Sequence, residues 1–447
     1  MVISKILFIF AHLVAKPRVM WMYYRLLFEE RKSMPELLIK QRIAIKRYLI
    51  FCKKEVPFFA PKIPKLTDAL EVGALQTVIN DIPLMTKDDI SRCRAKLELP
   101  EAKVGAFKVG KTGGSTGDPL KYRVSKKCND AAFAILYRGL GRGGYKLGDK
   151  LAVMAGGSLV TKRNGFKSKV VSFFMNTKKY SSYGVSDDLF QEYYQDLVSW
   201  KPKFIRGYAS SLFEFAKFIE KNKYDLSFVS VFTTAEMLFE HQRAYIEKVF
   251  SAKVYNGYGL NDGGVTAFEC KYGGGFHIDL ERSFLEVVDE SGRLIFDKVG
   301  RIVATSFLNK ATPFVRYVTG DLGEITNRKC KCGSPYPLLI SLAGRTTDVL
   351  RLNGRMVGSP VLTVLMGNID VARYQFIQVE ENKVLLVMEK NDAFDVVDEG
   401  FIRNSLFSNV GEFDLVFVYD EALFEVVDGG KHKVVINKTG LMQGARN

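Results

Sequence analysis

The strongest constraint on the fold is a repeating alternation between residues 151 and 259: a short apolar run, a polar loop, then a helical stretch. LAVMA (151–155) is a short run of the kind buried in parallel sheets. FIRGY (204–208) reads as strand into turn, with the helix SSLFEFAKFIEKNK behind it. Phe228 to Thr233 reads as a strand that ends at Thr234-Ala235-Glu236. The helix HQRAYIEKVF then leads into KVYNGYG at 253–259, and residues 187–200 also read as helix. Strands that alternate with helices in this way specify α/β architecture with largely parallel sheets. Ligands of such sheets lie beyond the carboxyl ends of the strands, where the polar and Gly-rich stretches fall here.

From about Phe276 the pattern changes. FLEVVDESGRLIF, GRIVATSF and TPFVRYVTGDLGEI alternate apolar and polar residues around turns, as antiparallel strands or a small barrel do. A boundary is expected near Asp348. LRLNGRMV, FIQVEENKVLLVME, a helical stretch near 394–407 and FDLVFVYDEALF follow as a small α/β domain. A length of 447 residues agrees with a large domain (1–347) plus a small one (349–447). Residues 1–55 read as helices rich in Lys and Arg, and Thr86 reads as a helix N-cap ahead of Asp88 and Asp89.

One stretch cannot build a core. In KTGGSTGDP (111–119), Thr112, Gly113, Gly114, Ser115, Thr116 and Gly117 combine backbone freedom with hydroxyl donors, behind Lys111. Backbone N–H groups in such a loop can converge on an anion. The loop lacks the G-x-x-x-x-G-K-[ST] pattern and so is not a Walker loop. It reads as a phosphate cradle, with a mobile Gly/Ser turn as the competing reading.

The net charge of +16 suits an anionic ligand or an anionic membrane surface. The basic residues are spread along the chain without a nucleic-acid-binding signature, which argues against nucleic acid. The apolar run ILFIFAHLVA is too short to span a bilayer. The next run, VMWMYYRLLF (19–28), is aromatic and flanked by basic residues. A helix packed on the domain and an in-plane membrane contact are its two readings. Six cysteines in a chain of this size do not form a disulfide scaffold. Cys270, His277, Cys330 and Cys332 form two pairs of the ligand types that zinc selects, and are a candidate structural zinc site. Four unrelated side chains are the alternative. With four His and no G-x-S-x-G elbow, a Ser–His–Asp triad is not expected.

Six stretches fall in a telling order: KTGGSTGDP, TTAEML (233–238), YNGYGLNDGG (255–264), FVRYVTGDLGEI (314–325), GRTTDVLRLNGRMV (344–357) and GGKHKVVINK (429–438). Together they resemble the adenylate-forming superfamily of acyl-CoA synthetases. The branch is that of phenylacetate–CoA ligases and of ligase-like proteins from capsular polysaccharide gene clusters, which GYASSL (207–212) also resembles. The resemblance covers the chain from about residue 80.

It implies a large α/β domain with a barrel-like subdomain and a small mobile C-terminal domain. It also implies an enzyme that activates a carboxylic acid with ATP and Mg²⁺ and passes the acyl group to CoA or another acceptor. The 112–117 loop would hold the departing pyrophosphate. Glu236, Tyr258 and Gly259 would lie near the adenine and the acyl-phosphate. Asp262 stands where the family usually carries a Mg²⁺-binding glutamate. Asp321 would hold the ribose hydroxyls, Arg345 a second nucleotide contact, and Asp348 the hinge. Lys431 would bridge carboxylate and α-phosphate, with Lys433 as the competing assignment. Similar Cys/His sets occur in the same branch. A role in cell-surface polysaccharide synthesis and a cytoplasmic location complete the expectation, with peripheral contact at the inner membrane face left open. AMP transfer to a hydroxyl, or a lapsed nucleotide-binding scaffold, are the competing functions.

Overall fold

The computed structural model describes residues 2–66, 74–111, 120–155, 176–181, 186–345, 349–353, 355–358, 362, 365–366, 369, 371–390, 394, 396–425 and 433–439. The chain divides into two compact units. Unit 1 comprises residues 1–319 and 324–341, and unit 2 comprises 320–323 and 342–447.

Three helices open unit 1: α1 (Val2–Ala15), α2 (Pro17–Glu29) and α3 (Met34–Glu55). Pro17 starts α2, where its missing N–H costs no hydrogen bond. Glu36 accepts from both the N–H and the hydroxyl of Ser33 and so closes the first turn of α3. Four short helices follow: α4 (Leu75–Asn80), α5 (Lys87–Arg92), α6 (Arg94–Leu97) and α7 (Glu101–Val104). Thr86 caps α5 as expected: its hydroxyl accepts from the Asp89 N–H, and the Asp89 carboxylate accepts from Thr86.

An antiparallel pair, β1 (Phe107–Lys111) and β2 (Lys121–Ser125), brackets the Gly-rich stretch, with Lys111 opposite Lys121. Helix α8 (Lys126–Gly141) follows, capped by the Ser125 hydroxyl. Then comes the parallel series β3 (Leu151–Ala155), β4 (Thr177–Ser181), α9 (Asp187–Trp200), β5 (Phe204–Gly207), α10 (Ala209–Lys221), β6 (Ser230–Thr234), α11 (Glu240–Phe250) and β7 (Lys253–Gly259). Six antiparallel-region strands complete the sheet: β8 (Thr266–Glu269), β9 (Phe276–Ile278), β10 (Phe284–Val288), β11 (Gly300–Thr305), β12 (Tyr317–Thr326) and β13 (Leu338–Arg345). Eleven strands form one sheet in the order β10-β11-β12-β13-β9-β8-β7-β6-β5-β3-β4. The strands read from sequence as an antiparallel or barrel-like region are thus hydrogen-bonded onto the parallel half.

The continuous apolar runs have a direct cause. Successive side chains of a strand point to opposite faces. Ala152, Met154, Ile205 and Val231 pack into the cluster with Leu212, Phe215 and Phe250 of α10 and α11. Leu151, Val153, Phe204 and Phe232 pack into the other cluster, with Phe8, Val19, Leu26 and Ile135 of α1, α2 and α8. Both faces are covered, so these strands are built mainly of apolar residues.

Unit 2 holds the hairpin β14 (Val349–Leu352) and β15 (Arg355–Gly358), then β16 (Val371–Glu380), β17 (Lys383–Lys390), α12 (Val396–Val410), β18 (Asp414–Val418) and β19 (Val435–Asn437). Its sheet runs β18-β17-β16-β19. Phe376, Leu386, Met388, Ile402 and Leu415 are buried in it. No helix among the described residues is long and apolar enough to cross a membrane.

Candidate nucleotide site and metal cluster

The parallel strands end in register. Gly207 pairs with Thr233, Thr233 with Asn256, and Thr234 with Gly257. The residues that follow each strand therefore emerge side by side, at the edge where α/β sheets bind ligands. Gly207 is required by the packing: a Cβ there would stand 2.5 Å from the Met154 carbonyl oxygen.

Beyond β6 the backbone turns through Ala235, at φ 66°. The Glu236 carboxylate accepts from the N–H of Ser210 at 2.9 Å, in the first turn of α10. A negative charge at a helix N-terminus is stabilised by the unpaired N–H groups there. Glu236 is thus fixed in place by the helix it caps. Tyr258 and Gly259 end β7, opposite Ala267 and Thr266 of β8. The turn after them carries Asp262, which accepts from the buried Tyr317 hydroxyl at 3.2 Å. Gly263 and Gly264 follow at φ 79° and 72°, and a Cβ on Gly264 would stand 2.5 Å from Ser306 Oγ. Only glycine accommodates that combination. Burial and the neighbouring Asp262 charge push the Tyr122 phenol far above its ordinary range.

In unit 1, Glu236 thus follows the end of β6, and Tyr258, Gly259 and Asp262 lie at or just after the end of the neighbouring β7. The unit adds side chains that the sequence motifs did not single out. Thr233 Oγ1 lies 3.0 Å from Asn256 Oδ1. Arg206 lies 3.4 Å from Thr234 Oγ1, and burial pulls its guanidinium down to about 10. A charged residue inside an apolar strand run was the signal available for Arg206.

In unit 2, Asp321 is a buried residue on β12, directly after Gly320 at φ 84°. Arg345 ends β13. Residues 112–117, Asp348 and Lys431 lie outside the described residues. The flanks of the segment carrying Lys431 are described. The buried Gln375 of β16 donates to the carbonyls of Glu425 and Lys433, both at 3.0 Å, and accepts from the Glu425 N–H at 2.8 Å. One side chain thus ties Glu425 to Lys433, the residues on either side of 426–432. Nothing in the sequence marks this glutamine, because the pairing spans 50 and 58 residues.

The Cys/His set forms a cluster. Cys270 follows β8, His277 lies on β9, and Cys330 and Cys332 lie ahead of β13. Their donor atoms all lie within 4.8 Å of one another. Cys270 Sγ and Cys330 Sγ are 3.7 Å apart, and Cys332 Sγ is 3.3 Å from His277 Nε2. Tetrahedral zinc with bonds of about 2.3 Å to sulfur sets S···S near 3.8 Å, so the spacing fits zinc. The surroundings fit as well. His277 Nδ1 faces the Tyr336 carbonyl at 3.4 Å, a partner for its N–H that leaves the Nε2 lone pair toward the thiols. Backbone N–H groups of Cys332 and Ser334 point at the sulfurs of Cys330 and Cys332, at 3.5 and 3.4 Å. Burial pushes the Cys332 thiol up to about 11. At Cys330 burial acts the same way, but the Cys332 N–H, the Cys332 and Cys270 thiols and the Arg142 charge together outweigh it and hold the thiol below its ordinary value. Behind the cluster, Arg138 binds Glu281, Asp279 and the Tyr336 hydroxyl, which anchors Tyr336. All six cysteines of the chain are free.

No known protein-family model matches the chain. Its fold is that of acyl-CoA ligases. It matches 2-hydroxyisobutyryl-CoA ligase, in the postadenylation state in complex with R3-HIB-AMP, with a TM-score of 0.68 over 91% of this chain and 90% of that one, at 17% identity. In sequence it is 27% identical over 387 residues to Protein CapK of Staphylococcus aureus, which covers 83% of each chain. It is 26% identical over 325 residues to phenylacetate-coenzyme A ligase of Thermus thermophilus, covering 70% of this chain and 71% of that one. In sequence and in fold the chain is thus similar to adenylate-forming ligases of the phenylacetate–CoA ligase branch.

Proposed function

We propose that the protein is an ATP-dependent, AMP-forming acid ligase, which activates a carboxylic acid as its adenylate and passes the acyl group to an acceptor. The observation that carries this reading is the register of the parallel strands, whose ends lead into the stretches carrying Glu236, Tyr258, Gly259 and Asp262. Glu236, held by α10, and the Tyr258-Gly259 backbone form the floor against adenine and acyl-phosphate. Asp262 offers a hard oxygen to Mg²⁺, which would neutralise charge on the phosphates. Asp321 accepts from the two ribose hydroxyls, as a carboxylate's paired oxygens allow. Arg345 makes a further nucleotide contact, and residues 112–117 receive the departing pyrophosphate through N–H and hydroxyl donors.

Lys431 supplies the point charge between carboxylate and α-phosphate, and rotation at Asp348 separates the two half-reactions. CoA is the first acceptor to test, and a hydroxyl of a cell-surface saccharide the second. Cys270, His277, Cys330 and Cys332 hold a structural zinc that pins the loop before β13 to β8 and β9.

The test is ATP–pyrophosphate exchange across a panel of carboxylic acids, with Lys431→Ala alongside. Exchange with one acid, lost in Lys431→Ala, supports the proposal and names the acid. ATP binding without exchange for any acid, or AMP retained covalently on an acceptor hydroxyl, refutes it.

A further inference from the structure

The N-terminal helices carry a surface that the ligase chemistry does not use. Helix α2 is firmly docked: Val19 and Leu26 are buried in the same cluster as Ile135 and Tyr137 of α8. Its outer side is not polar. Trp21, Tyr24 and Phe28 are 59%, 55% and 59% exposed. They fall at i, i+3 and i+7, one stripe of a helix. Arg18 and Arg25 flank them, each with more than half of its side chain exposed. Each also has an ion-pair partner, Asp130 at 3.7 Å from Arg18 and Glu29 at 4.0 Å from Arg25. Arg25 lies over the Trp21 ring at 5.3 Å and Lys32 over Phe28 at 5.7 Å. Helix α1 is likewise anchored inward, by Phe8 and by His12 against the Tyr137 hydroxyl. It too leaves Phe10, Leu13 and Val14 more than half exposed, at i, i+3 and i+4. No acidic residue precedes Glu29, whereas Lys5, Lys16, Arg18 and Arg25 do.

We propose that α1 and α2 are a docking surface for an anionic lipid bilayer, with α2 lying in the plane of the interface and its aromatic stripe among the headgroups. Three observations select this occupant. A Trp/Tyr/Phe stripe with arginines beside it matches the interfacial zone, where amphipathic rings and cations both find partners. The exposed arginines beside the rings complement phosphatidylglycerol or phosphatidylserine and not a neutral surface. A second copy of this chain fits poorly, because a two-fold contact through the stripe would set Arg18 and Arg25 against the same basic patch. The surface is separate from the nucleotide site, so this proposal stands whether or not the acid ligase reading does.

The experiment is co-sedimentation of the full chain with vesicles of phosphatidylcholine, with and without phosphatidylglycerol. Binding is expected only to the anionic vesicles and should fall as salt is raised. The triple variant Trp21→Ser/Tyr24→Ser/Phe28→Ser should lower the partition coefficient about 100-fold, by the apolar area it withdraws. Arg18→Gln and Arg25→Gln should each lower it about fivefold. Circular dichroism and a melting curve should match the parent chain.

The chain has two tryptophans, so Trp200→Phe leaves Trp21 as the sole indole. Its emission should shift to the blue on anionic vesicles and be quenched by lipids brominated in the acyl chains. Absence of sedimentation at low salt, or binding that the folded triple variant retains, overturns the proposal. So does a dimer in lipid-free solution that the triple variant disperses, which would assign the stripe to self-association.

Discussion

Gln375 offers the sharpest test of how unit 2 contributes to chemistry. Its amide makes three hydrogen bonds, to both polar atoms of the Glu425 backbone and to the Lys433 carbonyl, and so fixes the two ends of the segment carrying Lys431. Gln375→Leu keeps the volume but strands one N–H and two carbonyls. An unsatisfied buried group costs about 1–3 kcal/mol. Glu425 and Lys433 are only half-buried, so water recovers part of this. The net cost should be about 3 kcal/mol, or roughly a 100-fold shift toward an undocked segment. With Lys431 in its proposed role, the adenylating half-reaction should slow by about 10–100-fold in pyrophosphate exchange. ATP binding measured by calorimetry should change less than about threefold, and transfer from a supplied acyl-adenylate to CoA should be nearly unchanged. Gln375→Glu should also fail in exchange, since a carboxylate accepts from the Glu425 N–H but repels two carbonyls. Full exchange in Gln375→Leu would refute the reasoning. Equal loss in both half-reactions would also refute it, because it would mean general destabilisation and not displacement of Lys431.

Three further outcomes are expected. The purified chain should carry about one zinc per molecule, and Cys332→Ser should lose it and melt at lower temperature; elemental analysis that finds no metal, with a melting curve indifferent to chelator and added zinc, would exclude the site. Asp262→Asn should lower exchange about 100-fold while leaving stability within about 1 kcal/mol, because the amide oxygen can still accept the 3.2 Å bond from the Tyr317 hydroxyl; titration of Mg²⁺ in the exchange assay would show the weakened metal requirement. Gly264→Ala should destabilise the chain by about 2–4 kcal/mol in denaturant unfolding, since it combines a φ of 72° with a 2.5 Å approach to Ser306 Oγ. Ser306→Ala in that background should recover part of the loss.

Local patterns made much of this architecture legible. LAVMA and FIRG were readable as strands because both faces of the sheet are covered, which forces continuous apolar runs. Thr86 was readable as a cap because its partner Asp89 is three residues away. What escaped is non-local or weakly apolar. TKKYS (177–181) forms β4 at the sheet edge, where parallel pairing with β3 overrides a polar composition. The β1–β2 pair was hidden by the Gly-rich stretch between its strands. Cys270 and Cys330 stand sixty residues apart, so their residue types suggested a cluster that only the pairing of β9 with β8 and β13 could assemble. Gln375 lies at the far end of this scale. Glutamine in a strand carries no signal of its own, and its meaning comes from two backbone segments that the fold brings to it. Residues that bind substrate tend to recur in short motifs because loops present them together. Residues that hold those loops in place are dispersed, and a structure is where they become visible.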